Sequence, residues 1–343
     1  MKIPIKLPKR DSRTAKTPSR ITNETVAEHR ERILAEGRRF KYPMQYARHR
    51  LVRNAIIIGV AVAALLLGLL WFQLYIAKSS GNVLYRFTRV LPVPVASVEG
   101  DLVRYSDFLL YYRSSMGVLN DKQPVDESTE DGARIVAYQR NEAMQLAVAD
   151  RYVADIAKER DINVSDEQID TVVEDQRGEL SENAYYVVVQ DRLHWDRAEY
   201  RAVTRKALLK QDVAFAIDET ARDTKGQVEA KLREEVSLEQ IANDLGDRVQ
   251  FSDSGFVNKN NSDGGLARAA ERLEKGAVSG VVRTSTGDGY YYVQHVDSND
   301  NQIRYAYVKV PLTQLTKQLD ELYASDKVEH FIDIQQPEAV NQQ

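Results

Sequence analysis

The sequence predicts an α+β protein behind a single transmembrane helix, and three observations carry that prediction. Residues 54–77 contain no charged side chain. Apolar residues recur at three- and four-residue steps through much of 92–220, with helix-capping pairs between the runs. From about residue 250 to 310, alternation and frequent turns replace that period.

The apolar run, NAIIIGVAVAALLLGLLWFQLYIA, reaches about 36 Å at about 1.5 Å per residue, enough for a hydrocarbon core of about 30 Å. A helix buried in a soluble core would carry polar residues on one side, and none occurs from Ala55 to Phe72. Residues 1–53 hold 15 Lys and Arg against 5 Asp and Glu, so the N-terminus is expected on the cytoplasmic side. Trp71, Phe72 and Tyr75 are then expected at the outer boundary. The run begins more than fifty residues in, so it reads as a lasting anchor and not a cleaved signal.

The region from 78 onward carries 32 Lys and Arg against 46 Asp and Glu, a balance that as a whole suits neither nucleic acid nor anionic lipid. No Cys occurs, which removes disulfides, thiolate nucleophiles and cysteine-held metals. The five His form no HExxH pattern and no i,i+4 pair. GxSxG, GxGxxG and phosphate-loop patterns are also absent, so no cofactor and no metal is implied.

Six segments follow. Residues 1–53 read as a basic cytoplasmic tail, disordered to about residue 25, with a short helix from Asn23 to Arg39. Its charge serves as a topology signal or contacts anionic lipid. Residues 54–77 are the span and 78–91 a linker. Between 92 and 220 lie a brief strand at 95–98, a turn at Glu99-Gly100, and a helix that Ser106 or Asp107 can cap. A long helix at 132–160 follows, with Ala143, Leu146, Ala149 and Val153 on its packing face. Ser165 with Gln168 and Asp196 with Glu199 open two further helices, and 184–190 is read as helix. Residues 221–311 pass from helix into short strands around a helix at 265–275. A helix at 312–331 packs on the sheet or returns to the helical domain, before a polar end at 343.

RYVADIAKERDINVSDEQIDTVVEDQR, ASVEGDLVRYSDF and LHWDRAEYRAVTRKALL resemble the helical chaperone domain of the SurA, PrsA and PpiD proteins. VSLEQIANDLGD, DSGF and LARAAERLEKGAVSGVVRTSTGDGYYYVQHV resemble pieces of a parvulin-type prolyl isomerase domain. The resemblance implies a membrane-anchored foldase, with its domains outside the cytoplasmic membrane in periplasm or cell wall. It would bind unfolded, newly exported polypeptides, in reach of the translocon. Parvulins hold a prolyl peptide in an apolar pocket beside a histidine pair and a Cys or Asp. Here Leu266 falls at a pocket position and Phe256 at the aromatic end of a family turn. Tyr291 and Tyr307 fall at the two histidine positions, and Arg248 near the Cys or Asp. The implied peptide-binding residues are Phe256, Leu266 and Tyr291, and the catalytic motif is degenerate.

The family's first strand is missing before the isomerase-like helices, and residues 303–310 are expected to fill its place by pairing with 289–296. The cleft between the two domains is expected to be apolar and Tyr-containing. Two alternatives stand beside a passive chaperone. One is an active prolyl isomerase using substitute residues such as Tyr291. The other is a structural scaffold, with Gly59 and Ala63 offering a small-xxx-small helix contact.

Overall fold

The computed structural model describes residues 22–41 and 43–334. The chain divides into two units between Phe72 and Gln73. In the first, Asn23–Lys41 form α1 and Pro43–Trp71 form α2. Thr22 opens α1 by accepting at its carbonyl from the Thr25 hydroxyl at 2.7 Å. The expected disordered tail lies, over residues 1–21, outside the described residues. Leu51–Ile76 is long and apolar enough to cross a membrane, and none of it is buried over its most apolar stretch.

The second unit begins with the end of that helix, a π-helical turn over Phe72–Ile76. Leu74 is fully buried here. The Tyr75 hydroxyl donates to the Pro94 carbonyl at 2.6 Å, and that of Tyr105 donates to the Leu74 carbonyl at 2.7 Å. Tyr75 therefore packs against the folded body where the chain leaves the apolar helix. Lys78, with φ of 48°, takes a left-handed conformation, and the Ser79 N–H closes on the Gln73 carbonyl at 2.9 Å. The expected linker at 78–91 is also corrected: Asn82–Val90 form a helix, α3. It is held through buried Tyr85 and Thr88, with the Arg113 guanidinium 4.3 Å above the Tyr85 ring.

Pro94–Val98 (β1) and Asp101–Arg104 (β2) make a hairpin whose turn puts Glu99 and Gly100 at positive φ. Five helices follow: Tyr105–Lys122 (α4), Glu130–Glu159 (α5), Asp166–Arg177 (α6), Glu182–Leu193 (α7) and Arg197–Ile217 (α8). Both expected capping boxes form, at Ser165 with Gln168 and at Asp196 with Glu199. Neither Ser106 nor Asp107 caps α4, which already begins at Tyr105, whose N–H donates to the Val93 carbonyl at 2.7 Å. Asp107 instead pairs with Lys206, whose ammonium lies 2.7 Å from it and 3.0 Å from Asp150. Burial alone would lower the Lys206 ammonium, and the two carboxylates outweigh it and raise it. This group ties α4, α5 and α8 together.

The chain then leaves the helices. Glu219–Arg233 (α9) and Leu238–Leu245 (α10) precede Gln250–Asn258 (β3), Leu266–Glu271 (α11), Gly289–Ser298 (β4) and Gln302–Pro311 (β5). The strands form an antiparallel sheet in the order β3, β5, β4. Tyr290 pairs with Val310 and His295 with Tyr305, the pairing expected of residues 303–310. Alternation sends Tyr290, Tyr292, Val308 and Val310 to the face covered by α9 and α10. Tyr291, Val293, Ile303 and Tyr305 pack on the other face under α11.

After β5 the chain returns to the helical part. Gln314–Ala324 form α12 against α8, and the Tyr323 hydroxyl donates to the Gln145 carbonyl of α5 at 2.8 Å. The expected helix to 331 stops at Ala324, because Val328–His330 (β6) add a third strand to β1. Of the two placements expected for the segment after 311, the return to the helical part is the one found for α12 and β6, with Ile332 buried as well.

Candidate functional site

The five residues singled out in the sequence do not form one site. Tyr291 and Tyr307 are brought together on the α11 face, their ring centroids 5.5 Å apart, with Tyr305 6.3 Å beyond Tyr307. Leu266 packs in the same cluster. Both Leu266 and Tyr291 are buried, so they fill a core where the resemblance implies an open pocket. Phe256 is 48 % exposed and pairs with Arg304, one residue out of phase with Val257, which packs on that cluster. It lies on the opposite face of the sheet. Arg248 donates to the Leu245 carbonyl at the end of α10 and, at 2.9 Å, to the Gln227 side chain of α9. Those helices also cover the opposite face.

A polar network closes one end of the tyrosine row. The Tyr291 hydroxyl donates to Asp288 at 2.9 Å, Thr286 donates to it at 2.7 Å, and the Lys309 ammonium lies 2.5 Å away. Partial burial alone would raise the Asp288 carboxyl. The bonds from Lys309, Thr286 and Tyr291 outweigh it and hold the group at about 2. Burial and the bond to Asp288 push the Tyr291 phenol upward. At the far end, Tyr305 donates to Asp263 at 2.7 Å. His295 offers Nδ1 to the Leu273 carbonyl at 2.8 Å, while its buried Nε2 has no partner among the described residues.

The open space lies elsewhere in the unit. A cleft of about 530 Å³ runs between α5, α8, α12 and the turn at 286–288. Ala149, Ala214, Leu315 and Leu319 form its buried floor, and Leu146 and Tyr323 stand partly exposed at its edge. Glu142, Asp320 and Lys210 stand on the rim, together with Asp288, whose charge is met by Lys309. The turn reaches α8 because Gly287, at φ of 61°, brings its backbone against Gln211; a Cβ there would lie 2.3 Å from that side chain. Gln211 returns a hydrogen bond to the Ser285 carbonyl at 3.0 Å.

Leu146 was expected on the packing face of α5, and it sits at the cleft edge, 43 % exposed. Ile135 and Tyr138, also exposed, continue broadly the same side of α5 about two to three turns earlier. Ile135, Tyr138 and Leu146 were legible in the sequence as apolar residues on that side, with the charged Glu142 among them. The contribution of α12 was not, since it depends on how the chain returns. Among the described residues no group of three or more His, Asp or Glu is placed to hold a metal ion.

No known protein family matches the chain, and no curated protein matches it.

Proposed function

We propose that this chain is a membrane-anchored chaperone that holds segments of unfolded, newly exported polypeptide. In this reading Leu51–Ile76 crosses the cytoplasmic membrane, the basic N-terminus stays inside and the second unit works outside. The cleft between α5, α12 and the 286–288 turn carries the reading. It combines an apolar floor and a partly exposed Leu and Tyr at its edge, with exposed Ile135 and Tyr138 further along α5.

The test is protection of an unfolded client from aggregation by the full chain in lipid nanodiscs. Leu146→Glu changes an edge residue, and Thr316→Trp fills the cleft from α12. Both variants should lose most of the protection while melting as the parent does. Unchanged protection in both refutes the cleft.

A second reading, prolyl isomerisation, rests on the adjacency of Tyr291 and Tyr307 at 5.5 Å. Rotation about the prolyl bond needs only desolvation and reduced conjugation of the amide, with no covalent step. The passive reading is favoured because the Tyr291 ring is buried and its hydroxyl is committed to Asp288. Acceleration of a proline-limited refolding reaction that disappears with Tyr291→Phe would reverse that preference.

A further inference from the structure

The helix α3 shows two faces that differ in every respect. At about 100° per residue, Val90, Val83, Phe87 and Leu91 fall within an arc of about 100°, opposite the buried Tyr85 and Thr88. Among the described residues the body leaves Val83 84 % and Val90 82 % exposed, and covers Phe87 and Leu91 only in part, at 40 % and 41 %. Exposed Arg86 borders the arc, and Arg89 lies further round with its guanidinium 5.8 Å from the Tyr85 ring. From Lys78 to Val98 the chain contains Lys78, Arg86 and Arg89 and no Asp or Glu, in a region otherwise dominated by acids.

Position along the chain decides what meets this face. Ile76 ends the apolar helix and Asn82 begins α3, so the two are within about 20 Å even with the intervening residues extended. The turn at Lys78 and the Ser79 to Gln73 bond shorten that reach. We propose that α3 lies in the interface of the same bilayer that Leu51–Ile76 crosses. Val83, Phe87, Val90 and Leu91 enter the acyl boundary, and Arg86 and Arg89 meet anionic headgroups. The proposal rests on the membrane-anchored reading above. A helix with an apolar arc, basic flanks and a short tether to a span has the make-up of an interfacial helix. The buried side of α3 is held to α4 by the Arg113 guanidinium over the Tyr85 ring.

The absence of Cys allows a clean test in the full chain. Single substitutions Val83→Cys, Val90→Cys, Leu65→Cys and Asn260→Cys each carry one nitroxide, in vesicles of phosphatidylcholine and phosphatidylglycerol in equal parts. Collision with oxygen, which concentrates in lipid, is compared with collision with a water-soluble nickel chelate. Val83→Cys and Val90→Cys should follow Leu65→Cys, with oxygen collisions favoured several-fold, while exposed Asn260→Cys shows the reverse. Should Leu65→Cys be lipid-exposed while the α3 labels behave like Asn260→Cys, the inference fails and the anchor stands. Labels at Val83 and Val90 shielded from both agents would mean that protein covers the face, a second copy included, and would also overturn it. If Leu65→Cys itself avoids lipid, the anchored reading fails first.

Discussion

Asp218 accepts a hydrogen bond from the Thr313 backbone N–H at 2.7 Å, across 95 positions of chain. The same oxygen takes the Gln314 N–H at 3.0 Å, and the other oxygen caps α9 through the Ala221 N–H at 2.8 Å. One buried carboxylate thus holds the place where the chain leaves the helical part and the place where it returns.

Removing it should loosen both crossings. Asp218→Ala loses caps on two helices and leaves buried N–H groups unpaired, a loss of about 2 kcal/mol or more. Asp218→Asn keeps one acceptor and should fall between. Urea unfolding of the full chain in detergent measures both, and equal stability of the parent and Asp218→Ala would contradict the clamp.

Leu266 and Phe256 should respond in opposite ways, although the sequence paired them as pocket residues. Leu266→Ala empties part of a packed core and should cost about 2–5 kcal/mol. Phe256→Ala touches an exposed position and should change stability by about 0.5 kcal/mol or less. A thermal melt of each variant separates the two.

Asp288 gives the sheet part an acid-sensitive contact. Its carboxyl lies at about 2 against an ordinary 3.8, so its contribution is complete above 3.8 and fades as pH falls toward 2. The side chain is 45 % exposed, and screening by solvent keeps the effect small. The parent should lose more stability over that window than Asp288→Asn, and added salt should narrow the gap. Parallel pH profiles of parent and variant would remove the assignment.

Tyr105→Phe tests the join at the end of the apolar helix. The ring remains, so its packing against Tyr75, with centroids 6.2 Å apart, should persist. The buried Leu74 carbonyl loses its donor, at about 1–3 kcal/mol. Amide exchange in 73–79 should rise several-fold in the variant. Unchanged exchange would show that the hydroxyl does not hold the turn.

Local signals carried much of the fold. Ser165 with Gln168 and Asp196 with Glu199 fixed helix starts because capping joins residues three apart. The β-branched stretch at 184–190 was legible as helix through Ser181, which caps at the Ala184 N–H. Alternation at 290–293 told which tyrosines share a face. What stayed hidden depends on distant partners. The strand at 328–330 exists because β1 offers it an edge, and α3 was masked by a segment too short to show its period. The candidate site was legible only as a place, a cleft between two parts. Its lining comes from four segments far apart in sequence, and the residues carried over from the family resemblance fill the sheet core and its outer surface.

The pairing of β6 with β1 sets an order of events during synthesis. Ala96 waits for His330, and Glu99 for Lys327, 228 positions later. The first strand of the body therefore has one edge open throughout the making of both parts, and the helical part cannot close until the intervening sheet has already emerged. A chain halted just before Val328 would present that bare edge to its neighbours. On this order β1 keeps one edge unpaired until β6 has emerged, long after both of the elements beside it in sequence have formed.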